Sequence, residues 1–419
     1  MTNKRIHLAL SAALPFALPF ALSVTLSIAL PLGYQTAMAA DSSSAEVRTP
    51  EPLAKDQSFV DSLKLETHGF VSFGYIQSAH NNWLGPTTDG TSEFWEAAAN
   101  VIARPMDRLR VGAQLFARDL VDYDNGKVTV DWAYADYRFD DAIGVQVGRF
   151  KLPLGLYNES LDVDAARTEI FLPPSVYDLQ SRDFQVSTDG AKIYGMTDMS
   201  GGGLLEYATY AGAKPYDLDA GYAAYVAKII GVDRLTRLEL NYLAGAMLHW
   251  STPIDGFTVR LSGAHLDGVV IEASTPSGGV QFHAEFYLGY FSLLYELPQV
   301  TLATEYRLVY GRGDVELGGI PMPSLVDNTE GAYVSATWHA SSWWETYAAI
   351  EGSWADAQHR AEKYAYTGVL ALNVMPLPNW SMKAEIRGVR GVMGISPADN
   401  PDGISDQWAV FALKTTVDF

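Results

Sequence analysis

Beyond residue 65 the chain alternates apolar and polar positions with a period of two, and the alternation runs to the last residue. In 407–419, Phe411, Leu413, Thr415, Val417 and Phe419 share one face, while Trp408, Val410, Ala412, Lys414, Thr416 and Asp418 share the other. The cleanest run points Leu109, Val111, Ala113, Leu115 and Ala117 one way and Arg110, Gln114 and Arg118 the other. A period of two predicts β-strands with two unlike faces. Further strands are predicted near 65–77, 94–103, 128–139, 143–151, 191–197, 204–211, 242–251, 257–266, 281–296, 301–310, 332–339, 343–354, 364–374 and 380–390. The set comes to about sixteen.

The connections between these strands also alternate. Short turns fall at 104–107, 140–142, 198–203, 252–256, 297–299, 340–342 and 375–379. Longer connections follow Gln77, Leu120, Lys151, Ala211, Leu266, Tyr310, Trp354 and Arg390. Strict alternation of short and long is what an up-and-down antiparallel barrel through a membrane requires, with short turns on the periplasmic side. A Greek-key sandwich has no reason to obey it. Ending the chain inside a strand fits the same architecture, because in a closed wall the last strand pairs with the first. Trp95, Tyr242, Trp250, Tyr310, Trp338, Trp343, Trp344, Trp354, Tyr364 and Trp380 fall near predicted strand ends, where amphipathic rings form girdles at headgroup level.

Composition agrees. The chain is 48% hydrophobic and 12% aromatic, yet after residue 40 no run approaches the ~20 apolar residues of a spanning helix. Lys4, Arg5 and His7 precede a long apolar stretch broken by Pro15, Pro19 and Pro31, and Ala37-Met38-Ala39-Ala40 follows. This is the plan of a cleaved signal peptide over 1–40, with cleavage after Ala39 or Ala40. A polar lead over 41–64 would then precede a barrel over 65–419. The formal charge of -20, or -22 once Lys4 and Arg5 leave with the signal, argues against nucleic acid as a partner. With no cysteine, the chain has no disulfide, thiolate metal site or cysteine nucleophile.

On the predicted inner faces stand Glu96, Asn100, Arg110, Gln114, Arg118, Arg260, Ser262, Glu305, Arg307, Lys383, Glu385 and Arg387. Unpaired charges in a dry core cost several kcal/mol each, so the expected interior is water-filled. A barrel of this size is wide enough for an aqueous channel. The connection 152–187 is the longest and the richest in mixed charge, with a Leu172-Pro173-Pro174 break.

The alternating C-terminal strand ending in Phe419, and the stretch 148–155 (Gly148-Arg149-Phe150-Lys151-Leu152-Pro153-Leu154-Gly155), resemble the trimeric porins of the Gram-negative outer membrane, phosphate-selective ones included. The resemblance implies passive diffusion of small hydrophilic solutes or ions, outer-membrane lipid around the barrel, and a homotrimer. It also implies that 152–187 folds into the lumen and narrows it, with Asp162, Asp164, Glu169 and Asp178 on the loop side of a constriction. Arg110, Arg118, Arg260, Arg307, Lys383 and Arg387 would then stand on the wall, and the transverse field would sort solutes by charge and size. With 49 acidic against 29 basic residues, the expected preference is weakly for cations.

Two other readings stay open. One is a barrel enzyme of phospholipase or protease type, and the other a plugged structural or adhesin barrel. No pair of the eight histidines has metal-ligand spacing, and none neighbours a serine in a nucleophile motif. The segment 122–126 (Asp122-Tyr123-Asp124-Asn125-Gly126) lacks the full calcium-loop pattern and is read as a turn. No enzyme activity, cofactor or metal is therefore expected.

Overall fold

The computed structural model describes residues 63–419 apart from 220 and 277. The expected signal peptide, and all but the last two residues of the expected lead, lie outside the described residues. The strands are β1 (Glu66–Ala79), β2 (Phe94–Met106), β3 (Leu109–Leu120), β4 (Thr129–Arg138), β5 (Gly144–Lys151) and β6 (Ser187–Asp198). They continue with β7 (Leu204–Gly212), β8 (Leu235–Glu239), β9 (Tyr242–Ser251), β10 (Phe257–Thr275), β11 (Gly278–Glu296) and β12 (Val300–Leu317). The last five are β13 (Ile320–Ser341), β14 (Trp344–Trp354), β15 (Tyr364–Leu377), β16 (Trp380–Gly391) and β17 (Gln407–Asp418).

These seventeen segments make one antiparallel sheet closed by β1 on β17. β8 and β9 pair with successive parts of β10, so together they fill a single wall position and the barrel has sixteen strands. The seam runs from Phe70 opposite Asp418 to Ala79 opposite Ala409. It is finished by reciprocal main-chain bonds of 2.9 Å between Gly69 and Phe419. A Cβ at residue 69 would lie 2.4 Å from the Phe419 ring and 2.7 Å from the Ala98 carbonyl, so the seam closes over a glycine.

The expected faces are the observed ones. Val111, Leu115, Phe411, Leu413 and Val417 point out and are exposed, while Gln114, Arg118, Val410, Ala412, Lys414 and Thr416 point in and are buried. An exposed row of aliphatic side chains is stable only against lipid, and the backbone of a closed barrel leaves no unpaired edge there. Exposed aromatics ring both rims. Trp250, Trp338, Trp343, Trp380 and Phe419 stand near the short turns, and Tyr242, Tyr287, Tyr310 and Tyr366 toward the long loops.

Two connections differ from expectation. After Leu266 and Tyr310 the chain continues as strand, and β10–β11 and β12–β13 form tall hairpins rising past the tyrosine rim. Their inner faces remain apolar, with Ile271, Phe282 and Val315 buried, while Glu272, Asp314 and Glu316 face outward. The polar outer face read as loop because it meets water rather than lipid. In the long connection after β7, helix α1 (Gly221–Ile230) buries Tyr222, Tyr225 and Val226 inward. Its Lys228 bonds Asp122 at 2.7 Å and also pairs with Asp399, tying the helix to two other long loops.

Leu413 lies midway along β17 with its side chain facing out. Leu413→Arg should cost about 2–4 kcal/mol of folding stability, as a guanidinium does near the bilayer midplane. Urea-dependent folding into vesicles measures the difference, and a cost near zero would place this face away from lipid.

Candidate functional site

The segment between β5 and β6 turns inward and crosses the barrel. Gly155 takes the left-handed conformation (φ +60) that bends the chain into the lumen. Three 3-10 turns follow, at Asn158–Ser160, Asp164–Ala166 and Leu179–Ser181, the last running on into one α-helical turn at Arg182–Gln185. Asp178 caps the last of them, accepting from the Gln180 N–H at 3.2 Å and the Ser181 hydroxyl at 2.7 Å. Such short turns leave many main-chain groups without internal partners, and the wall supplies them.

On β12, Glu305 takes four donors. The Leu156 N–H (2.8 Å) and Ser292 hydroxyl (2.6 Å) bond one oxygen, and the Tyr177 (2.6 Å) and Tyr333 (2.8 Å) hydroxyls bond the other. On β16, Lys383 donates to the carbonyls of Asp164 (2.8 Å), Arg167 (2.8 Å) and Glu169 (3.3 Å). Two places along the same strand, Glu385 accepts from the Ile170 and Phe171 N–H groups at 2.7 and 3.2 Å. Arg387 donates to the Phe171 carbonyl at 2.6 Å while bonding Glu385 and Glu351. Glu351 in turn accepts from the Ser175 N–H at 3.2 Å.

Side chains of the loop pair with the wall at two further points. Asp162 bonds Lys151 at 2.6 Å and the Arg182 Nε at 3.0 Å, and both cations also reach Asp131. Asp164 meets Lys414 at 2.6 Å, the Thr416 hydroxyl at 2.7 Å and Arg167 at 2.9 Å. Apolar residues of the loop, Leu154, Ile170, Phe171, Leu172 and Val176, join wall residues such as Phe94, Phe150, Phe286 and Trp408 in one buried cluster. Trp83 meets the edge of Phe171 at 5.4 Å.

The structure therefore brings nearly all of the sequence-selected residues together at this loop. Asp162, Asp164 and Glu169 are buried in it, and Asp178 is half-buried. Arg118 reaches the Leu179 carbonyl at 3.2 Å, Arg260 bonds Glu159 at 2.8 Å, and Lys383 and Arg387 hold the main chain as described. Arg307 points to the Val176 carbonyl at 3.4 Å. Arg110 stands apart, paired with Asp136 at 3.1 Å. It lines a cavity of about 360 Å³ toward the short turns, together with Arg104, Arg108, Arg138, Lys192 and Tyr194. A second cavity, of about 100 Å³, lies on the long-loop side among Trp83, Trp408, Tyr225, Asp178, Glu351 and Arg387.

Sequence reasoning placed Glu305, Glu385 and Lys414 on inner faces without giving them a part in the site, and it missed Asp131, Lys151, Arg182 and Glu351. It also expected water around the inner charges. Instead Glu305, Arg307, Lys383, Glu385, Arg387 and Lys414 are all at most 4% exposed, because the loop's amides and carbonyls take water's place. At the short-turn end, His339 lies 3.0 Å from the Thr301 hydroxyl and 2.8 Å from Glu345, whose other oxygen accepts from Thr168 of the loop at 2.8 Å.

Burial alone would raise the loop carboxyls. For Asp162 this is overcome by Arg182 and Lys151, and for Asp164 by Lys414, Lys383 and Arg167, so both stay below the usual carboxylate range. Asp183 goes the other way. Burial, with the nearby Asp124 carboxylate, pushes it up to about 7.

Replacing Lys383 with Met strands three carbonyls and should lower stability by about 3 kcal/mol, read from the urea midpoint. The pH dependence has two signs. The depressed Asp162 and Asp164 stabilise the fold above ~4, and that contribution is lost as pH falls through their folded values. The raised Asp183 stabilises it at low pH, and this is lost as pH climbs from ~4 through its folded value. Amides of 152–187 should accordingly be better protected from hydrogen exchange at pH 5 than at pH 8, and Asp183→Asn should remove the difference. Equal protection of the native chain at both values would refute this.

No protein-family profile matches the chain, and no curated protein does either. Solved structures do. OmpF of Salmonella typhi, in complex with daunomycin, superposes with a TM-score of 0.55 at 12% identity, covering 86% of this chain and 99% of that one. An OmpT loop-L8 deletion mutant, an outer membrane protein of Vibrio cholerae, gives 0.54 at 12% identity, over 86% and 100%. In-vitro folded OmpT of the same organism, in its trimer form, gives 0.54 at 11%, over 85% and 99%. At these identities the likeness is one of fold. A closed sixteen-stranded wall, an apolar outer surface and a connection folded across the lumen give this chain the fold of the bacterial outer-membrane porins.

Proposed function

We propose that the chain is an outer-membrane porin, exported through its signal peptide, that assembles as a homotrimer and lets small hydrophilic solutes or ions diffuse passively. The observation that carries this reading is the loop 152–187, fixed across the lumen by side chains from the wall all round the barrel. A wall that only needed filling could use apolar side chains. This one spends buried Glu305, Glu351, Lys383, Glu385 and Arg387 on holding a loop in one position, which suits a constriction of set size.

In this reading Asp162, Asp164, Glu169 and Asp178 form the loop side, and Arg118, Arg260, Arg307, Lys383 and Arg387 the wall that positions it. Arg110 faces the vestibule toward the short turns. Glu159, exposed on the loop, pairs with Arg260 at 2.8 Å and with Lys192, which lines that vestibule.

The hydrolase alternative would rest on Thr301, His339 and Glu345, whose contacts run hydroxyl to imidazole to carboxylate. The Thr168 bond to Glu345 favours a role for that row in securing the loop. The porin reading expects no turnover of phospholipid or peptide by the purified barrel.

Planar-bilayer recording tests the channel directly. The native chain should show stable conductance with a weak cation preference in a salt gradient. Asp162→Asn with Asp164→Asn should raise the conductance, make it noisier and move the reversal potential toward anions. A native barrel without conductance would defeat the proposal, and an unchanged reversal potential in the variant would remove these two residues from the constriction.

A further inference from the structure

The outer surface of the tall hairpins carries a cluster that a channel does not need. Above the tyrosine rim the outward positions of β10, β11 and β12 turn acidic, with Asp267, Glu272, Glu285, Asp314 and Glu316 against Arg312. Within this collar, ligand atoms of His265, Asp267 and Glu285 all lie within 4.8 Å of one another.

Register brings the three together. His265 lies opposite Tyr287, and Glu285 is the next outward position along β11. Asp267 is the next outward position along β10, where the register shifts between Leu266 and Val269 over Gly268 at φ +63. That irregularity swings the Asp267 carboxylate toward its neighbours instead of along the strand.

The imidazole is held firmly. Tyr287 stacks on it at 4.5 Å and 17°, and Tyr242 meets it edge-on at 5.9 Å and 80°. Its Nε2 is closed off from solvent and has no hydrogen-bond partner. The nearest carboxylate oxygen, on Glu285, is 3.6 Å away, too far for a hydrogen bond. Two ligand atoms each ~2.1 Å from one tetrahedral ion stand ~3.4 Å apart, close to that gap. Asn241 Nδ2 donates to Asp267 Oδ2 at 3.3 Å, which orients the carboxylate as an outer-shell partner does.

We propose that His265, Asp267 and Glu285 bind a divalent transition metal of the zinc class through Nε2 and one oxygen of each carboxylate. One neutral imidazole and two carboxylates suit such an ion, and its charge relieves the repulsion between carboxylates that close together. The linear sequence hides the site because two of its ligands come from β10 and the third from β11. Only the hairpin register makes them neighbours.

The test is calorimetric titration of Zn²⁺ into the purified, chelator-stripped barrel in detergent. Native protein should bind one ion per chain saturably. His265→Ala and Glu285→Gln should each weaken binding at least ~10-fold, whereas Asp314→Asn, on the same acidic collar but outside the cluster, should leave it unchanged. All three substituted side chains face outward, so the barrel signal in circular dichroism should be common to every variant. No saturable binding by the native chain overturns the proposal. So does equal affinity in the His265 and Glu285 variants, or an equal loss in Asp314→Asn, which would mean diffuse attraction to the collar.

Discussion

The inward charges that the loop covers share one constraint: a charged group that loses water to a loop entering the lumen must find its partners on that loop or on the wall beside it. The structure meets this with main chain. Lys383 gathers three carbonyls, Glu385 takes two consecutive amides, and Glu305 is closed by an amide and three hydroxyls. Bonds from a charged group are worth roughly 1.5–3 kcal/mol each, against a larger penalty for leaving such a group bare. The loop's short helical turns and Pro173-Pro174 break, poor at satisfying their own backbone, are what make it a good partner for such a wall. Regular secondary structure inside the lumen would have consumed the amides that the carboxylates need.

The wall was legible in the sequence because lipid imposes a rule on every residue of every strand. Leu109 to Ala117 and Phe411 to Phe419 show it as alternation, and the short and long connections show it as topology. The rule lapses above the tyrosine rim. There the outer positions Glu272, Asp314 and Glu316 meet water, so β10 beyond Leu266 and the β12–β13 hairpin beyond Tyr310 read as loop although Ile271 and Val315 kept the inward period. The break between β8 and β9, opposite the irregular stretch of β10, marks the same height on the neighbouring strand.

The loop was legible only in part. Its length and mixed charge singled it out, and Asp162 and Asp164 lie where the charge suggested. Their partners could not be read, since Lys414 is 250 residues from Asp164 and approaches it only after β17 has closed on β1. The expectation that water solvates each of the inner charges failed for a related reason. Composition counts charges but does not say whether a peptide group or a water molecule answers each one.

Closure and loop docking are thus coupled. Lys414 and Thr416 sit on the strand that completes the seam, and both hold Asp164. Asp164 and Arg167 also offer the carbonyls that Lys383 requires on the adjacent strand. Until β17 pairs with β1 and β16, the loop lacks its anchorage on that side, and until the loop docks, Lys383 lacks its three carbonyls, Glu385 keeps only Arg387 and Lys414 only Glu96. Each therefore supplies partners that the other needs, which ties the final strand to the inward loop. The apolar packing of Phe171 against Phe94 (5.4 Å) and Trp83, beside Trp408, lies between them. It joins β2, β17 and the connection between β1 and β2 to the loop, so the seam that keeps lipid out is also the seam that fixes the shape of the lumen.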